Sequence, residues 1–180
     1  MIMDSLSDQL TFPTEDFALR PVRMSDLTRI EHYCSDLRLA SQTVNIPHPL
    51  PDGLIATMIE RSLLPDRTEH RWVMDGGARE PGDEVMGAIT LYQLDRNQAE
   101  LGYWVAPPFA NSHVASSAVQ ALVAANPLDI DTVFASVFHD NPASARVLTN
   151  TGFAYLGDAE TFCLARGATV PTWTYSLKLR

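Results

Sequence analysis

Apolar and polar positions change their spacing several times along the 180-residue chain, and each change marks an element. Residues 1–16, MIMDSLSDQLTFPTED, carry no periodicity and read as a loose N-terminal arm. Phe17–Pro21 is a short first strand, and Ser25-Asp26 reads as a cap ahead of Leu27, Ile30 and Tyr33 at helical spacing. Pro47, Pro49 and Pro51 then stiffen a link that excludes regular structure. Helical spacing returns over Ile55–Leu64, with Ile55, Ile59 and Leu63 on one side. Three strands follow at His70–Met74, Val85–Leu94 and Gln98–Val105, the last two joined by the turn Asp95-Arg96-Asn97. Gly87, inside the middle strand, marks a bulge or the close approach of another backbone.

The second half is more regular. Val114, Ala118, Ala121, Leu122 and Ala125 predict a helix from about Ser112. A strand at Thr132–Val137 leads into VFHDNPASARVLTNTGF, Val137–Phe153. There Asn141 can accept from free helical N–H groups, and Pro142 at the first helical position gives up no bond. Ala145, Val147 and Leu148 supply an apolar face, and Gly152 a left-handed stop before Phe153 enters a strand. A final strand carries Trp173 and Tyr175, exposed in this reading and able to pair with a second subunit. No repeat or second boundary interrupts residues 17–180, so they read as one α/β domain.

Composition narrows the function. A hydrophobic content of 46% with mean hydropathy −0.06 is that of a soluble globular protein, and no apolar run reaches membrane-spanning length. The start lacks a basic and apolar leader, and Cys34 and Cys163 have no CxxC spacing, which together imply a reduced, cytoplasmic protein. A net charge of −9 and a single lysine, Lys178, argue against a nucleic-acid partner. Such a surface suits cationic amines or basic peptides, although solubility alone accounts for it more simply. The five histidines show no metal-ligand pairing, and no G-x-S-x-G elbow or Walker loop occurs.

The run N-P-x-S-x-x-x-L-x-x-x-G-F, Asn141 to Phe153, resembles the last conserved motif of the GNAT acyl-CoA-dependent N-acetyltransferases. LRPVRMSDLTRI, from Leu19, resembles their opening, and Val44–Pro49 resembles a link beside the acceptor pocket in the RimJ/RimL-like branch. AELGYWVAPPF, Ala99 to Phe109, resembles the strand entering their pyrophosphate loop. The resemblance implies a central mixed, mostly antiparallel, bent sheet of six or seven strands flanked by about four helices. It also implies acetyl-CoA as acyl donor, an amine as acceptor, and direct transfer without an acyl-enzyme or metal.

On that resemblance the donor would meet Tyr103, Trp104 and Val105 on the strand, then Asn111, Ser112, His113, Val114, Ala115 and Ser116 around the helix start, and Asn141 and Ser144 beyond. The helix N-terminus is an anion site by its free N–H groups and dipole. The loop departs from the family's Arg/Gln-x-x-Gly-x-Gly/Ala. Ala110 stands for Arg/Gln, His113 for the first glycine, and Asn111 for a common glycine between them. Ala115 conforms, and Ser117 replaces an early acidic residue. Three readings stay open: binding through other groups, loss of the coenzyme leaving a catalytically silent binding or interaction domain, or another anionic donor. For the chemistry, Glu100 is the candidate base and Ser144 the candidate acid, with Tyr155 as runner-up. Strand N–H groups at Tyr103–Val105 would polarise the thioester carbonyl.

Overall fold

Alternating buried and open positions assemble into a single eight-stranded sheet in a computed structural model that describes residues 9–110 and 112–180. The strands are β1 (Phe12–Pro13), β2 (Ala18–Pro21), β3 (Glu69–Asp75), β4 (Gly87–Leu94), β5 (Gln98–Val105), β6 (Thr132–Phe138), β7 (Ala154–Cys163) and β8 (Ala168–Lys178). The helices are α1 (Leu27–Cys34), α2 (Leu37–Ala40), α3 (Leu54–Leu63), α4 (Val114–Ala125) and α5 (Pro142–Asn150). Strand order is β1-β2-β3-β4-β5-β6-β8-β7, with β5 and β6 parallel and every other pair antiparallel.

Successive residues of a strand point to opposite faces, so the sheet builds two cores. Trp72, Ile89 and Leu101 pack one face against Ala118, Leu122 and Leu148 of α4 and α5. Val73 and Val85 meet Ile30, Ile55 and Ile59 of α1 and α3 on the other. Each such aliphatic side chain fully removed from water contributes roughly 1.5–3 kcal/mol. Gly87 is the close approach its position suggested, since a side chain there would run into the Trp104 carbonyl of β5.

Several expectations change. The sheet has eight strands rather than six or seven, because residues 12–13 of the N-terminal arm pair with β2 and the final hairpin adds two long strands. Leu10 is tied as well, its carbonyl accepting the Trp72 indole N–H at 2.9 Å. Residues 1–8 of the arm lie outside the described residues. The last strand is not exposed. β8 lies between β6 and β7, with Tyr175 buried, and the open edge is β7. Asp26 does not act as a simple cap: buried, it takes both terminal nitrogens of Arg20 at 2.8 and 2.9 Å and the Arg23 N–H at 2.8 Å. Helix α4 starts two residues later than read, at Val114, and buries Val119 while leaving Ala125 open. The extra helix, α2, is one turn capped by Asp36, whose carboxylate accepts from the Arg38 N–H.

Candidate active site

The site begins where two strands part. Only Gln98, Ala99 and Glu100 of β5 pair with β6, opposite Thr132, Val133 and Phe134. Beyond Glu100, β5 runs on along β4 to Val105 while β6 follows β8, so the β5 edge facing β6 is left without a strand partner. Helices α4 and α5 follow β5 and β6, and both begin at this opening.

The two helix starts differ. Asn141 holds the α5 N-cap with its side chain accepting from the Ser144 N–H at 3.2 Å, and Pro142 follows. His113 precedes α4 at φ +61°, ψ 9°, the left-handed region, with no side-chain cap bond to the helix. Glycine adopts that conformation most easily, and here a histidine holds it. The first amides of a helix have no partner inside it, which leaves those of α4 open toward the cleft.

A cleft of about 670 Å³ occupies this opening. Tyr103, Trp104 and Val105 line it from β5, Ser112, His113, Val114, Ala115 and Ser116 from the α4 start, and Asn141 and Ser144 from α5. Every expected donor contact is therefore in one place, except Asn111, which lies outside the described residues. Other residues also line it: Arg38 on α2 and Gln42 just after it, and Ala143, Arg146, Val147 and Asn150 on α5. The α5 set repeats at i, i+3, i+4 and i+7, a helical stripe visible in the sequence but overlooked because only its buried face was read.

A second cavity of about 290 Å³ lies on the other side of a shared wall formed by Gln42, Thr43, Tyr103, Trp104, Asn141 and Ser144. Glu100 lines this cavity together with Tyr92, Ser136, Phe138 and the buried Arg71. Crowding by protein pushes the Glu100 pKa above the ordinary carboxylate value. Val44, Asn45 and Ile46, at the start of the proline link, close one side. The Asn45 amide donates to Tyr92 Oη at 3.1 Å, while the β7–β8 turn holds the link through Leu164 N–H to the Val44 carbonyl and Arg166 Nε to the Ser41 carbonyl.

In the shared wall the Tyr103 hydroxyl meets Ser144 Oγ at 2.8 Å and the Ser144 carbonyl at 3.2 Å. Burial pushes the Tyr103 phenol up to about 12, against the opposing effect of the Ser144 bond, so it stays protonated at neutral pH. Nothing local in the sequence announces this pairing, which joins residues 41 positions apart. Tyr155 joins neither cavity. It is 57% exposed on β7 and its hydroxyl donates to Asp158 at 2.9 Å.

The site is therefore a parallel strand pair that splays beside an open helix N-terminus, with a cavity on each side of one wall. Residues 16–154 match the acetyltransferase (GNAT) domain, and the chain belongs to that family. No curated protein matches the sequence. Among solved structures it is similar to the ribosomal L7/L12 alpha-N-protein acetyltransferase RimL in complex with coenzyme A, with TM-score 0.80 and 18% identity over 94% of this chain and 98% of that one. The spermidine N-acetyltransferase of Vibrio cholerae, in complex with CoA and spermine, gives 0.77 and 16% over 92% and 97%. The ribosomal-protein-S5-alanine acetyltransferase of Vibrio fischeri gives 0.75 and 19% over 94% and 97%. At these identities the likeness is one of fold. Among the described residues no cluster suits a metal ion, and no helix is long and apolar enough to cross a membrane.

Proposed function

We propose that the protein is an acetyl-CoA-dependent N-acetyltransferase of the RimJ/RimL-like type, moving an acetyl group directly onto a primary amine. The observation that supports this most is the shared wall. A donor in the larger cleft and an acceptor in the smaller cavity would meet at Tyr103 and Ser144. The amine nitrogen attacks the thioester carbonyl carbon, the carbonyl oxygen becomes an oxyanion, and its collapse breaks the C–S bond. Unpaired N–H groups of β5 beyond Glu100 suit the oxyanion.

An alkylammonium with a pKa near ~10 must lose a proton before attack. Glu100, directly or through water, takes it, and its raised pKa makes it a better acceptor than an ordinary carboxylate. As the C–S bond breaks, Ser144 Oγ relays the second proton of the attacking nitrogen to the departing thiolate and ends as a hydroxyl again, and the Tyr103 hydroxyl positions it from 2.8 Å. Among the described residues, Glu100 is the only carboxylate lining the acceptor cavity, and the other ionic group there is the cation of Arg71. That balance suits an acceptor with one ammonium and an uncharged body, such as a protein N-terminus or a small monoamine, over a polyamine. Cytoplasmic residence fits two buried free cysteines. A second subunit would meet the β7 edge, and light scattering reads whether it does.

The test is amine-dependent release of CoA thiol. Glu100→Gln is expected to lower kcat/KM by roughly a hundredfold or more. Glu100 works deprotonated, so wild-type activity falls as pH drops through its raised pKa, and the variant loses that acidic limb. The second reading, a GNAT-fold domain that has lost acyl-CoA, is favoured by the glycine-free stretch at Ala110 and His113. Calorimetry showing no heat with millimolar acetyl-CoA would establish it.

A further inference from the structure

In a chain of net charge −9, guanidiniums are mostly taken up by carboxylates. Arg20 pairs with Asp26 at 2.8 Å, Arg29 with Glu84 at 2.9 Å and Arg166 with Asp140 at 2.6 Å. Arg38, on one wall of the donor cleft, is held by Asp36 at 2.6 Å. Arg146 is different. It stands exposed on α5, lines the same cleft, and has no carboxylate partner among the described residues. Its helical neighbours in the stripe, Ala143 and Val147, are small or apolar, so its charge is the one formal charge on that wall.

The same cleft is lined by Ala110 and His113 before α4, which by the resemblance stand in place of the loop's Arg/Gln and glycine. A loop without those residues gives a diphosphate fewer close backbone contacts. The acidic protein surface further opposes an anionic donor. An unpaired guanidinium answers both, because its planar fork matches phosphate oxygens two at a time.

We infer that Arg146 holds a phosphate group of the acyl-CoA donor from the α5 wall. It thereby supplies from a side chain part of the binding that the Ala110–His113 loop lacks. The inference rests on the donor-site reading given under Proposed function. The phosphate is either one of the diphosphate or the one on the ribose, and both present the same chemistry to a guanidinium.

Calorimetric titration of wild type, Arg146→Ala and Arg146→Gln with CoA and with dephospho-CoA tests it, with Arg96→Gln in the β4–β5 turn as control. Arg146→Ala is expected to weaken CoA binding roughly tenfold to a hundredfold, as loss of a charged hydrogen-bond partner does. Unliganded melting should stay unchanged and the control should bind as wild type. A deficit that disappears with dephospho-CoA supports the ribose phosphate, and one that persists supports the diphosphate. Equal CoA affinity in wild type and both Arg146 variants overturns this assignment and leaves the donor site standing. No CoA binding by wild type overturns both.

Discussion

Helices α4 and α5 open onto the same cleft and begin in opposite ways. The α5 start is capped: the Asn141 side chain accepts from the Ser144 N–H, and Pro142 fills the position that needs no donor. The α4 start is open: His113 holds a left-handed turn and offers the helix no side-chain bond. A cap satisfies amides, and amides already satisfied cannot bind phosphate. On the proposed function, one terminus is finished for folding while the other is left open for the donor, and the two should respond to mutation in opposite senses.

Giving α4 the cap it lacks is the strongest way to break that contrast. In His113→Asp a carboxylate can accept from the first helical amides, and Asp tolerates the left-handed backbone. The unliganded protein is expected to melt no lower than wild type. CoA affinity should fall by roughly a hundredfold, because a like charge then faces the phosphates. Unchanged affinity in calorimetry would mean that the α4 terminus is not the anion site.

The reverse operation at α5 has a smaller effect and a different readout. Asn141→Ala removes the cap bond to Ser144 N–H and should cost about 1 kcal/mol of stability, a drop in Tm of roughly 2–4 °C. Asn141 also lines the donor cleft, so a loss of CoA affinity should accompany the lower melting temperature. His113→Asp separates these two quantities, and Asn141→Ala joins them. A variant that melts like wild type would show that the cap bond contributes nothing measurable.

The same contrast explains what the sequence disclosed. A closed terminus announces itself by residue type, and Asn141, Pro142 and Gly152 placed α5 and its stop correctly. An open terminus carries no such mark, so α4 was begun near Ser112 instead of Val114. Order within the sheet was less legible still. Pairing of β8 with β6 joins residues some forty positions apart, and nothing local in Trp173 or Tyr175 tells an inner strand from an edge. Asp26 was misread because the motif Ser-Asp before a helix looks like a cap. Its buried partner Arg20 is six residues back, on β2. Of the site, residues flanking a recognisable turn were found, whereas Arg146 and the Tyr103 hydroxyl depend on which face of an element looks into the cleft.

The finest test of the contrast changes the conformation-bearing residue without adding a cap. His113 sits at φ +61°, where a side chain costs roughly 1 kcal/mol and glycine escapes that penalty. Glycine also gains freedom in the unfolded chain, which offsets part of the benefit. His113→Gly should therefore raise stability by only about 0.5 kcal/mol, a shift of one or two degrees in Tm. The amides of α4 keep their direction in this variant, so CoA affinity should change less than about threefold if backbone groups do the binding. A larger loss, with the melting temperature still raised, would assign the contact to the His113 imidazole. The α4 terminus would then bind through a side chain, as we propose for Arg146 on the α5 wall.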